Sequence, residues 1–217
     1  YTARQLLQLI RDGEQGEIRP EDFWRRDGRY FDAMRPGVEP DGLDSLDEAM
    51  AMRAQHLAHV RDLFRSADIL IFTLGLTEAW MNRQSGIIYP TCPGVIAGEF
   101  DDDRHQFVNF GFEDVLQDLM EARSLLKTIN PAIRMLLTVS PVPLVATATA
   151  EHVLTATVYS KSVLRVAAAE AAANLADVHY FPAYELVTGP QAPERFFQDD
   201  RREPSDEAIA TVMDAFL

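Results

Sequence analysis

Asp68-Ile69-Leu70-Ile71-Phe72-Thr73-Leu74-Gly75 is the stretch on which the fold turns. The run between the aspartate and the glycine is too short for a helix and lacks apolar–polar alternation. It reads as a strand buried on both faces. Two further runs share that character. Ala132-Ile133-Arg134-Met135-Leu136-Leu137-Thr138-Val139-Ser140 is stopped by Pro141 and Pro143, and Val178-His179-Tyr180-Phe181 is stopped by Pro182. Amphipathic stretches lie between them. Residues 44–66 place Leu46, Met50, Leu57, Val60 and Phe64 near helical spacing, with Asp44 or Ser45 as a cap. Residues 112–129 carry Val115, Leu119, Ala122, Leu126 and Ile129 on one stripe; residues 151–176 are alanine-rich, and residues 206–217 form a short last helix. The alternation predicts an α/β fold in three layers, a mainly parallel sheet with helices on both faces, spanning residues 1–217 as one domain.

Two stretches fit neither period. Residues 13–43 and 81–111 are rich in Gly, Pro, Asp and Arg with a few aromatics, and are expected to be long ordered loops with room for a hairpin. The second follows the carboxyl end of the first apolar run, where open α/β sheets place their ligands. The chain opens on Tyr1, already within a helix-like pattern, so it is expected to be part of a longer protein.

The 217 residues carry a formal net charge of −14. That excess repels nucleic acid and anionic membrane surfaces. Cys92 is the one cysteine, which excludes an intrachain disulfide and a cysteine-rich zinc site. No apolar run is long enough to span a bilayer. A cytoplasmic protein that needs no metal or cofactor is the expectation.

Candidate chemistry gathers where strands end. After Gly75 come Thr77, Glu78 and Trp80: a hydroxyl, a carboxylate and an indole that either project into the crevice or begin the next helix as caps. Ser140, fixed by its prolines, is either a ligand donor or part of a rigid turn. Tyr159-Ser160-Lys161 offers a hydroxyl and a lysine, a pair that elsewhere activates nucleophiles, although adjacent helical residues do not face one another. Asp199-Asp200-Arg201-Arg202-Glu203 is either part of a site or a self-paired charge run. His56 and His59 stand three apart without a third ligand, and His105 follows three aspartates on what reads as surface. His152 and His179 lie near element ends that could face the crevice, and Cys92 has no activating base nearby in sequence.

Tyr1–Leu7, Phe72–Trp80, Cys92-Pro93-Gly94, Thr138–Leu144, Tyr159-Ser160-Lys161 and Tyr180–Glu185 resemble, in that order, segments of the GSCFA family. That family is similar to the SGNH (GDSL-like) hydrolases, which implies a serine esterase or acyltransferase acting on a small-molecule or carbohydrate ester. By the same resemblance Gly75-Leu76-Thr77-Glu78 stands where that lineage has GxND, so Thr77 takes the place of the oxyanion-binding asparagine. Asp200-Arg201-Arg202-Glu203 stands where it has DxxH, with Glu203 in place of the histidine. A carboxylate titrates near 4.3 and imidazole near 6.5, so Glu203 serves as base only if burial raises it. The signature serine is expected upstream of Tyr1. The resemblance implies catalytic roles for Thr77, Glu78, Asp200 and Glu203, and substrate contacts for Gly75, Trp80, Ser140, Ser160 and Lys161. All of this requires Thr77 and Glu78 to share one hollow with Asp200 and Glu203. A binding protein descended from that fold, without turnover, is the alternative.

Overall fold

The computed structural model describes residues 2–217. Helix α1 (Ala3–Gln15) starts at a capping box, in which Thr2 Oγ1 accepts from the Gln5 amide and the Gln5 side chain accepts from the Thr2 amide. Gly16 ends it in a left-handed conformation. Strands β1 (Phe23–Arg26) and β2 (Arg29–Asp32) form an antiparallel hairpin around Asp27-Gly28, both at positive φ. The right-handed twist of a hairpin demands such a turn, and Asp-Gly supplies it. Helix α2 (Leu46–Ser66) is capped by Ser45 and leads into β3 (Ile69–Leu74).

The chain then departs from what the sequence suggests. Glu78 opens a strand instead of capping a helix: β4 (Glu78–Asn82), β5 (Ile88–Tyr89) and β6 (His105–Asn109) make a small antiparallel sheet in the order β5-β4-β6. Helix α3 (Phe112–Ile129), strand β7 (Arg134–Val139), helix α4 (Val153–Asn174) and strand β8 (Val178–Tyr180) complete the central α/β unit. Short α5 (Ala183–Thr188) and α6 (Asp206–Phe216) close the chain.

Strands β3, β7 and β8 pair in parallel in that order. Both crossovers step the same way across the sheet, so their right-handed sense puts α3 and α4 on one face, where they pack together. Leu74, Met135, Leu137 and Val139 meet Leu119, Leu126 and Leu164 there, joined by Leu6, Leu7 and Ile10 of α1. Alternation turns Ile69 and Ile71 to the other face. They stand 45% and 52% exposed, so the cover expected on both faces of β3 is thin on that side.

A second core cluster joins the hairpin to the small sheet through Trp24, Phe31, Tyr89 and Ala97. Gly98, at φ +76, lies so close that an added Cβ would stand 2.8 Å from Trp24 Cγ. Gly98→Ala is therefore expected to lower stability by about 1–3 kcal/mol, from strain and overpacking together, read as a fall in the urea midpoint without loss of slope. An unchanged midpoint would show that the hairpin gives way freely.

Candidate active site

Parallel pairing brings Leu74 opposite Val139, so Gly75 and Ser140 leave the sheet side by side, and the Ser140 amide donates to Leu74 O at 2.9 Å. The antiparallel register then sets Glu78 across from Asn109. Between these strand ends lies a cavity of about 780 Å³. Gly75, Leu76, Glu78, Trp80, Cys92, Phe107, Ser140 and the 142–148 segment line it. The walls are mostly apolar, with the Glu78 carboxylate as the charged group on them.

Glu78 is nearly buried, and its Oε1 accepts a hydrogen bond from Thr147 Oγ1 at 2.6 Å. Thr147 Oγ1 lies 2.8 Å from Thr149 Oγ1 and accepts from the Thr149 amide, so a row of hydroxyls orients the carboxylate. Burial raises the Cys92 thiol above its ordinary pKa, which keeps it protonated and a poor nucleophile at neutral pH.

Behind the wall, the turn from Gly75 to Thr77 is clamped. Lys161 Nζ donates to Gly75 O at 2.6 Å, and the Thr77 amide donates to Ser160 Oγ at 3.0 Å. Thr77 Oγ1 donates to Asn109 Oδ1 at 2.6 Å, and the Phe110 amide donates to Thr77 O at 2.9 Å. Thr77, Ser160 and Lys161 are thus buried supports of the turn and stand off the cavity surface. Lys161 is 2% exposed, and burial pushes its pKa down to about 8. A cation held on Gly75 O withdraws density from the Gly75–Leu76 peptide and strengthens its N–H as a donor.

Of the residues singled out from sequence, Gly75, Glu78, Trp80 and Ser140 come together on the cavity wall. Asp200 and Glu203 do not join them: both are exposed and lie in the loop before α6. Asp200 Oδ1 accepts from the Arg202 and Glu203 amides, which holds its carboxyl below the usual range. The hollow expected to unite all four acidic and hydroxyl groups is therefore not formed. His152 caps α4 through Nδ1, and His179 is exposed on β8; neither lines the cavity. His105 is buried against Tyr89 and Phe100, with Nδ1 accepting from the Asp101 amide. Thr147, Phe107 and Asn109 carry no signal of function in the sequence, since only the long-range pairing of β4 with β6 and the return of the 142–148 segment place them here. Among the described residues no cluster of His, Cys, Asp or Glu has metal-binding geometry, and no helix is long and apolar enough to cross a membrane.

Compared with known families, residues 1–216 match the family described as GSCFA. No curated protein matches the chain.

Proposed function

The chain belongs to the GSCFA family, and on that footing we propose that its strand-end cavity takes an acyl ester of a small molecule or carbohydrate, for hydrolysis or acyl transfer in the SGNH manner. What supports this is one juxtaposition: a clamped glycine turn and a buried carboxylate, Gly75 and Glu78, open onto one apolar cavity at the carboxyl ends of parallel strands. The acyl chain lies against Trp80, Phe107 and Leu144. Its carbonyl faces the Gly75–Leu76 peptide, whose N–H meets the developing oxyanion. Glu78 takes the proton of the attacking hydroxyl and returns it to the departing alkoxide. The attacking serine is that of the Gly-Ser-Cys-Phe-Ala signature, a pentapeptide absent from these 217 residues. Its oxygen bonds to the carbonyl carbon, the ester C–O bond breaks, and water or an acceptor alcohol then releases the acyl group.

The test uses a polypeptide that carries the signature, assayed on p-nitrophenyl acetate and octanoate, with its serine replaced by alanine as control. Glu78→Gln is expected to lower kcat/KM by about 10²–10⁴-fold while the melting temperature holds, the usual span for a lost general base. Equal rates with and without the serine would overturn the mechanism.

Binding without turnover is the second reading. It is favoured by Glu203, exposed and off the cavity at the position where the lineage keeps its base. It predicts that ester ligands raise the melting temperature with no release of p-nitrophenolate; steady release would exclude it.

A further inference from the structure

The outward side of α4 lacks the charged residues that cover the other long helices. Helices α2 and α3 turn Asp47, Asp62, Arg65, Glu113 and Asp114 to solvent. The charged side chains of α4 are Lys161, Arg165 and Glu170. Lys161 is buried on Gly75 O, and Arg165 lies over the Tyr180 ring and pairs with Glu185, which leaves Glu170 outside. In place of charges, Thr155, Tyr159, Ser162, Val166, Ala169 and Ala173 are exposed and follow one another at alternating steps of four and three, one line along the helix. Tyr159 and Val166 are 46% and 54% exposed, and Leu154 and Val158, exposed further still, widen the face. A helix apolar on its inner and outer sides alike is one that is covered on both.

We propose that this face pairs with the same face of a second copy, the two α4 helices running antiparallel about a two-fold axis level with Leu164. Size selects that occupant and that direction. Antiparallel, the line complements itself: Tyr159 meets the partner's Ala169, Val166 meets the partner's Ser162, and Ala173 meets the partner's Thr155, each larger side chain against a smaller one. Parallel pairing would set Tyr159 against Tyr159 and Ser162 against Ser162, a clash beside a void. Charge selects the same arrangement. Antiparallel pairing keeps the two Glu170 carboxylates about 18 Å apart along the axis, at 1.5 Å per residue, whereas parallel pairing sets them side by side. A charged partner surface would bury its own ions against a face that offers one carboxylate. One helix pair buries less than the roughly 1,200 Å² at which standard interfaces begin, so the dimer is weak, with micromolar dissociation. It tightens with salt, which screens the repulsion between two chains that each carry −14. The inference does not rest on the acyl-ester reading.

Sedimentation equilibrium of the chain from about 1 μM to about 1 mM tests this. The expected result is a monomer–dimer equilibrium that Val166→Glu weakens at least about tenfold, because the new carboxylate is buried against the other copy with no partner. Val166 is exposed in the single chain, so the melting temperature of the variant at low concentration is expected to hold. Adding Ser162→Lys to Val166→Glu is expected to restore the dimer, since antiparallel pairing sets each new ammonium opposite a new carboxylate. Monomer throughout the range, a dimer indifferent to Val166→Glu, or a double variant as weak as the single one would overturn the proposal. None of these outcomes touches the acyl-ester reading, which Glu78→Gln tests separately.

Discussion

Arg53→Ala will destabilise the protein by on the order of 3–5 kcal/mol, the cost of breaking a buried ion pair from one side. Arg53 projects from α2 between two other elements. Its Nη1 donates to Asp32 Oδ1 at the end of β2 at 2.9 Å, and its Nη2 donates to Asp12 Oδ2 on α1 at 3.0 Å. One guanidinium thus holds the first helix, the hairpin and the second helix together. Without it, Asp12 loses its cation and Asp32 keeps only Arg35, at 3.0 Å. Burial already lifts the Asp12 pKa above its ordinary value against the pull of Arg53, and the variant lifts it further. A carboxylate whose folded pKa is raised binds protons more readily folded than unfolded, so its penalty is relieved as pH falls through the folded pKa. Urea unfolding at pH 7 and at pH 5 reads both effects: a large loss at pH 7, partly recovered at pH 5. A loss under about 1 kcal/mol, the scale of an exposed pair, would show that the network contributes little.

Lys161 gives the second large effect, and its sign is opposite to that of an ordinary ion-paired lysine. Its amine sits inside the protein on Gly75 O, with burial the one cause that moves it, and titrates near about 8 against 10.5 for a free side chain. Below the folded pKa the folded protein must carry a desolvated charge. Between the folded and unfolded values the unfolded chain holds the proton and the folded chain does not, so stability rises with pH across that window. The span corresponds to on the order of 3 kcal/mol, since each pKa unit is about 1.4 kcal/mol. Other groups titrate over the same range, so the quantity to read is the difference between the protein and Lys161→Met. The protein is expected to gain on the variant steadily from pH 7.5 to pH 10. A constant difference would mean that the amine is not titrating in the folded state.

The central α/β unit was legible because burial there follows chain-local patterns. The stripe of Val115, Leu119, Ala122 and Leu126 fixes α3 to the residue, and the apolar runs locate β3, β7 and β8 within a residue or two at each end. The hairpin at Asp27-Gly28 lies inside a stretch that the sequence marks only as a long ordered loop with room for a hairpin. The small sheet was not readable. Glu78 after a strand-ending glycine has the look of a helix start, and β5 is two residues long, too short to show a period of its own before it pairs with β4. The candidate site follows the same division. Gly75, Glu78, Trp80 and Ser140 were found because strand ends converge by topology. Asp200 and Glu203 were misplaced because alignment to a lineage carries no distance. Arg53 looked like any charged position on an amphipathic helix, since its two carboxylate partners lie 21 and 41 residues away.

The two tryptophans make the central claim directly measurable, because Trp80 lines the strand-end cavity and Trp24 lies in the hairpin cluster. Titrating the nitrogen-15-labelled chain with ethyl butanoate, and following the two indole N–H signals and the Leu76 amide by NMR, reports where an ester settles. Saturable shifts of the Trp80 indole and the Leu76 amide are expected with the Trp24 indole unmoved; a Trp80 signal that stays fixed at saturating ester would contradict an ester site at the strand ends.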